Sequence, residues 1–163
     1  MKELGLSVEQ AQAELSHNSG LKGIAGIGTE DFREILAASD SGNRRAKIAV
    51  EMYIDGIRKF VGSYAVIMGG VDCIIFGGGI AEKSDYMRER ILEGMEFMGV
   101  KLDLSRNKEI GTGQGLISAD YSYDSKAKIF VIPTNEEIVV AYFTKRVVEE
   151  GRDLTAEEMI FRL

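Results

Sequence analysis

The sequence predicts an α/β domain with a small parallel sheet flanked by helices. Three observations carry that expectation. Two short runs, VDCIIF at 71–76 and AKIFVIP at 127–133, are β-branched and largely apolar on both faces, as strands buried within a parallel sheet are. Helical periodicity surrounds both, giving the order helices, strand, helix, strand, helix. Between the first strand and the next helix stands FGGGIAEKS, residues 76–84, a glycine run where the chain must turn.

The elements follow in order. Ser7 with Gln10 is a capping-box pair that opens a short helix over Val8 to Leu15. HNSGLKGIAGIGT, residues 17–29, is glycine-rich and aperiodic, and reads as a loop. Thr29 is placed to cap a helix through Phe32, Ile35 and Leu36 that ends before SDSGN. From Asn43 a long helix is expected, with Ile48, Met52, Ile57, Phe60, Val61, Tyr64 and Met68 recurring at helical steps on its apolar face. Gly69-Gly70 stops it before the first strand.

Beyond the glycine run, Ser84 can cap a helix carrying Met87, Ile91, Leu92, Met95 and Met98. Residues 101–125 are irregular, with a short strand near 116–118. Pro133 punctuates the end of the second strand run. Thr134 with Glu137, and Thr155 with Glu158, are further capping boxes, for a helix through Ile138, Ala141, Tyr142 and Val148 and for a short terminal one. Residues 1–163 read as a single domain without repeat or linker. Two or three strands make a thin sheet against the usual ~4–6, so some apolar surface needs a cover.

Composition narrows the function classes. A net charge of −6 argues against nucleic acid or an anionic membrane as the main partner. His17 is the only histidine and Cys73 the only cysteine, so neither a Cys/His zinc site nor an internal disulfide can form. Cys73 is expected as a buried structural thiol in a reducing compartment. No apolar run approaches ~20 residues, which places the chain in the cytoplasm.

The glycine run fails both familiar phosphate-binding frames. A P-loop needs glycine, lysine and a hydroxyl residue at the positions held by Glu82, Lys83 and Ser84, and a carboxylate there would repel phosphate. The G-x-G-x-x-G frame also breaks at Glu82. Two uses remain: a bare turn, or a close approach of backbone to a flat ligand with a helix N-terminus facing an anion. The glycines alone favour the turn slightly, and their place at the carboxyl end of a central strand brings the two level.

Longer segments decide between them. SGLKGIAGIGTEDFREI, SGNRRAKIAVEMYIDGIRKFVGSYA, MGGVDCIIFGGGIAEKS and IFVIPTNEEIVVA follow one another in the order and spacing of acetate kinases, and from Leu6 to Val148 the chain resembles that family. The DFR triplet and VIPTNEE are its specific marks. The resemblance implies part of an RNase H-like (actin-like ATPase) domain and reversible, Mg²⁺-dependent transfer of the γ-phosphate of ATP to acetate. Asp31, Phe32 and Arg33 match the family's DFR nucleotide contacts; Gly79, Ile80, Ala81, Glu82 and Lys83 match its nucleotide-binding GIGEN; Glu136 matches a magnesium-associated carboxylate. Tyr86 and Arg88 stand near enough in sequence to line the same pocket. Ala81 replaces a glycine, so a positive φ there would be strained, and Lys83 replaces an asparagine.

The same resemblance implies that substrate contacts, catalytic arginine and histidine, and phosphate-binding strands lie upstream of the matching segments. No catalytic residue is therefore expected in this chain, which reads as the C-terminal, nucleotide-binding portion of an acetate kinase, inactive alone and homodimeric, with ATP and a short-chain carboxylate as ligands of the complete enzyme. The alternative is a non-catalytic nucleotide-binding or dimerisation module derived from that kinase.

Overall fold

The computed structural model describes residues 5–151, the side chain of Glu136 excepted; the helix expected around Thr155 and Glu158 lies outside them. Helix α1 (Val8–His17) opens with the expected capping box, the Ser7 hydroxyl accepting from the Gln10 N–H at 3.2 Å. The stretch read as a loop contains a helix, α2 (Gly20–Ala25). Its stability comes from elsewhere in the chain. Arg45 donates to the carbonyls of Gly23 at 2.7 Å and Ile24 at 2.9 Å, satisfying the helix end.

Helix α3 (Phe32–Asp40) starts two residues later than Thr29 suggests. Asp31 is the cap, accepting from the Arg33 N–H, while the Thr29 hydroxyl accepts from the Asp31 N–H at 3.1 Å. Helix α4 (Arg44–Met68) begins at Asn43 and ends at left-handed Gly69, as expected. Its buried face is the expected one only in part: Ile57 and Val61 pack half-buried against the core. Ala46, Ala49, Val50, Ile54 and Ala65 point inward, whereas Ile48, Met52, Phe60, Tyr64 and Met68 are exposed. Small residues inside let α2 and α3 lie close against α4.

Strand β1 (Cys73–Phe76) leads through the glycine turn into α5 (Gly79–Lys83), then α6 (Asp85–Leu92), capped by Ser84. Gly94, at φ 74°, breaks the expected helix before Met95, and a 3-10 turn (Glu96–Met98) follows. The region read as irregular holds α7 (Leu104–Glu109), capped by Asp103, and β2 (Gly115–Leu116). Strand β3 (Lys128–Val131) and α8 (Glu136–Glu150) complete the described chain. Asn135, not Thr134, caps α8, accepting from the Ile138 N–H at 3.1 Å, and the Thr134 N–H donates to Glu82.

The sheet has the order β1-β3-β2. β1 and β3 form the expected parallel pair, while β2 joins β3 antiparallel. β1 is thus an outer strand rather than a covered one. Cys73 is exposed, contrary to the buried thiol expected, and Ile75 is 59% exposed. The core lies on the other face, where Phe76, Ile129 and Val131 meet Met87, Ile91 and Leu92 of α6, with Ile35, Val50 and Ile54 beyond.

Two ionisable side chains, Arg88 and Glu82, lie inside this framework. Arg88 is fully buried and bonds only to neutral oxygens among its hydrogen-bond partners. It donates to the carbonyls of Ala81 at 2.9 Å and Glu82 at 2.8 Å, to Asn107 Oδ1 at 2.6 Å and to the Asn107 carbonyl at 2.9 Å. Burial lowers its pKa from the ordinary arginine value, opposed by the charge of Asp85. Replacing Arg88 by alanine leaves these buried carbonyls without donors and should cost about 3 kcal/mol or more in urea unfolding. Arg88→Lys should recover little, because an ammonium lacks the planar fork that spans both partners. A loss below about 1 kcal/mol for alanine would show that water replaces the guanidinium freely.

Candidate functional site

The two parallel strands end level, Phe76 opposite Val131, so the turns leaving them are neighbours. Contact between those turns is close. A Cβ on Gly77 would stand 3.1 Å from the Ile132 carbonyl oxygen and 3.3 Å from Thr134 Cγ2. Gly78 takes a positive φ of 77°, aiming the chain into α5. Only glycine meets both demands without strain. Ala81 meets no such demand, since it lies within α5 and no described non-glycine residue has a positive φ.

Glu82 binds the turns together. The residue is 8% exposed, and one carboxylate oxygen accepts from the Gly78 N–H at 3.2 Å and the Thr134 N–H at 3.1 Å. Arg88 holds the opposite end of the same short helix through its carbonyls. α5 is therefore fixed at both ends by side chains.

An open groove of about 670 Å³ runs between α3 and α5. It brings together Asp31, Phe32 and Arg33 from one segment with Gly79, Ile80 and Lys83 from the other. Phe32 is mostly turned into the core, at 7% exposure. The groove also takes in Leu36, Ala37 and Asp40 of α3. With Arg33, these stand at i, i+3, i+4 and i+7, so one helical face lines the site; that periodicity was present in the sequence. A second cleft of about 510 Å³ shares Gly79 and Lys83 and extends to Glu82, Pro133, Thr134, Asn135 and Glu137. Glu136 is the first residue of α8, beside this cleft. Tyr86 and Arg88 contribute to the lining of neither.

The charge at the groove mouth is arranged by one carboxylate. Asp31 caps α3 and also receives Arg33 Nε at 3.0 Å and Nη2 at 2.5 Å. These bonds from the Arg33 guanidinium, with the Arg33 backbone N–H, hold the Asp31 pKa down at about 2. The Arg33 side chain remains 90% exposed, so its donors are oriented yet open to a ligand.

A family model for the acetokinase family matches residues 1–142. A curated relative, acetate kinase of Clostridium novyi, is 41% identical over 151 residues, which are 93% of this chain and 36% of that protein. Among solved structures, Porphyromonas gingivalis acetate kinase superposes with a TM-score of 0.77 at 36% identity, covering 91% of this chain and 36% of the other. A propionate kinase from Francisella tularensis gives 0.71 at 32% identity, covering 84% and 33%. The chain thus spans just over a third of the length of the proteins it matches.

Gly77→Ala should destabilise the chain by about 1–3 kcal/mol, because the added carbon meets backbone that cannot step aside. Gly79→Ala should stay within about 1 kcal/mol, as its Cβ would face open space on a helix. Equal urea midpoints for the two variants would contradict the packing described. Carbon-detected titration should place the Asp31 midpoint at about 2, and Arg33→Ala should return it toward 3.8. Since the folded value lies below the unfolded one, the pair's stabilisation is present above pH 3.8 and lost as pH falls through about 2.

Proposed function

The chain belongs to the acetokinase family, with the actin-like ATPase type of α/β fold, and on that premise we propose that it supplies the adenosine side of an acetate kinase nucleotide site. The observation that carries this reading is the groove in which the DFR triplet and the glycine turn, far apart in sequence, face one another. Ile80 on one wall and Leu36 and Ala37 on the other offer apolar surfaces for a flat base. Gly79 leaves the backbone of α5 open to approach. Arg33, pre-oriented by Asp31, and Lys83, exposed between groove and cleft, are the cations available to phosphate.

Mg²⁺ is the cation this reading calls for. Among the described residues no three His, Cys, Asp or Glu side chains converge, whereas Mg²⁺ keeps much of its water and takes one or two carboxylates plus substrate phosphates. Glu136 would hold it, and when bound it would neutralise charge shared between the phosphates. The chain's own part is to start α8 at Glu136, immediately after the Asn135 cap that lines the same cleft as Lys83.

The wider activity rests on the same reading. The chain corresponds to the C-terminal part of an acetate kinase that transfers the γ-phosphate of ATP to acetate or a related short-chain carboxylate in the cytoplasm. Phosphoryl transfer needs charge stabilisation from several directions, and a groove with Arg33 and Lys83 supplies few of them, so the chain by itself is inactive. Ile48, Met52, Phe60 and Tyr64 form an exposed apolar stripe on α4, which favours a docking role as well and suits homodimerisation. The described helices include none long and apolar enough to cross a membrane.

Calorimetry of the 163-residue chain with Mg²⁺ and ADP should show binding that Arg33→Ala weakens about tenfold. Equal affinity would remove Arg33 from the site. With ATP, Mg²⁺ and acetate, no acetyl phosphate should accumulate, and turnover by the chain alone would overturn the claim of incompetence.

A further inference from the structure

Glu82 falls inside the segment matched to nucleotide contacts, yet its carboxylate is committed elsewhere. One oxygen joins the N–H of Gly78, in the turn after β1, to that of Thr134, in the turn after β3. The two donors belong to segments more than 50 residues apart, and Glu82 itself is 52 residues from Thr134. With 8% exposure, the residue has little surface left for a ligand. An anionic acceptor between two amides makes stronger bonds than a neutral one, and each bond fixes a different turn.

We propose that Glu82 is a positioning residue: it locks the glycine turn of the groove to the Thr134-Asn135 turn that starts α8, and does not itself bind nucleotide. This deepens the nucleotide-site reading above and rests on it. The tie explains why a carboxylate is compatible with a site that receives phosphate, since its charge is spent on backbone N–H groups inside the fold. It also sets the register of the site. Gly79, on the groove side, follows one bonded amide directly, and Glu136, at the start of α8, follows the other by two residues. A shift of either turn would therefore change the distance between the groove and the first carboxylates of α8. Gly77 keeps the turns close enough for a single oxygen to reach both donors.

Backbone amide exchange and ADP binding, measured on the 163-residue chain and its Glu82→Ala and Glu82→Gln variants, separate this role from the alternatives. In the ligand-free chain, Glu82→Ala should speed exchange at Gly78 and Thr134 at least about tenfold, with α4 amides unchanged as the control for folding. Glu82→Gln, which keeps a carbonyl acceptor but loses the charge, should restore most of that protection. ADP affinity should follow the same order, falling about tenfold for alanine and within about twofold of the parent for glutamine. Unchanged Thr134 exchange in Glu82→Ala overturns the tie. Full Gly78 and Thr134 protection in Glu82→Gln, combined with an affinity as poor as that of alanine, overturns it as the reason for the loss and makes Glu82 a direct contact. A parent chain that binds no ADP overturns the nucleotide reading instead, and the exchange comparison still decides whether Glu82 locks the turns.

Discussion

The burial of Arg88 constrains everything on the carboxyl side of the sheet. α5 is only five residues long, too short to persist by its own hydrogen bonds, since nucleating a helix costs more than one turn returns. Its last carbonyls have no partners within the helix, and the Arg88 guanidinium provides them while also gripping Asn107 of α7. The same solution recurs. Arg45 closes α2, and Arg58 donates to the carbonyls of Arg90, Ile91 and Glu93 at the end of α6. A positive, multiply donating side chain suits the negative end of a helix, and two of these arginines come from the long α4, so one rigid element finishes two short ones.

Against that background the glycine turn is less a flexible loop than a fixed junction. Its helix is held from behind by Arg88 and from the front by Glu82, and Gly77 lies too close to Ile132 and Thr134 to admit a Cβ without movement. Ligand sites of parallel sheets gather where strands end, because turns there expose backbone groups and helix N-termini. A sheet this small gives such turns little support of its own. Polar ties between neighbouring turns make up that deficit and hold the groove open in one geometry, the preorganisation that binding requires.

Much of the fold could be read from the chain because its signals are local. The capping box at Ser7, the Asn43 start and Gly69 stop of α4, the Ser84 cap and the run that becomes β3 all act within a few residues of themselves. The short helices α2 and α7 escaped because Arg45 and Arg88, about twenty residues away, supply their stabilising contacts, while α5 is too short to show a period of its own. α4 misled in a different way: both faces are apolar, and side-chain size pointed largely to the wrong one, with only Ile57 and Val61 of the expected residues packing against the core. Close packing of α2 and α3 selects alanine, so the larger residues are left outside. Cys73 was misplaced because an apolar strand looks the same whether one side or both are covered. Resemblance, rather than periodicity, supplied the candidate site residues, and the three-dimensional arrangement added Leu36, Ala37 and Asp40 and turned Glu82 inward.

The exposed α4 stripe and the sparse charge of the groove point to one conclusion about how the proposed site would work. Ile75 on the outer strand and Phe60 stacked on Tyr64 at 6.4 Å present apolar area to solvent on two elements of the same fold. Such surface is costly to leave wet, so a partner segment or copy covering it gains free energy without touching the groove. That gain is available to fix further charged groups in place opposite Arg33 and Lys83, which phosphoryl transfer demands and these two cations do not meet. On the proposed reading, then, the apolar stripe is where a partner would dock, and the Asp31–Arg33 pair stands pre-oriented toward the groove. Nucleotide affinity is the part of the proposed activity that this chain's own residues would supply.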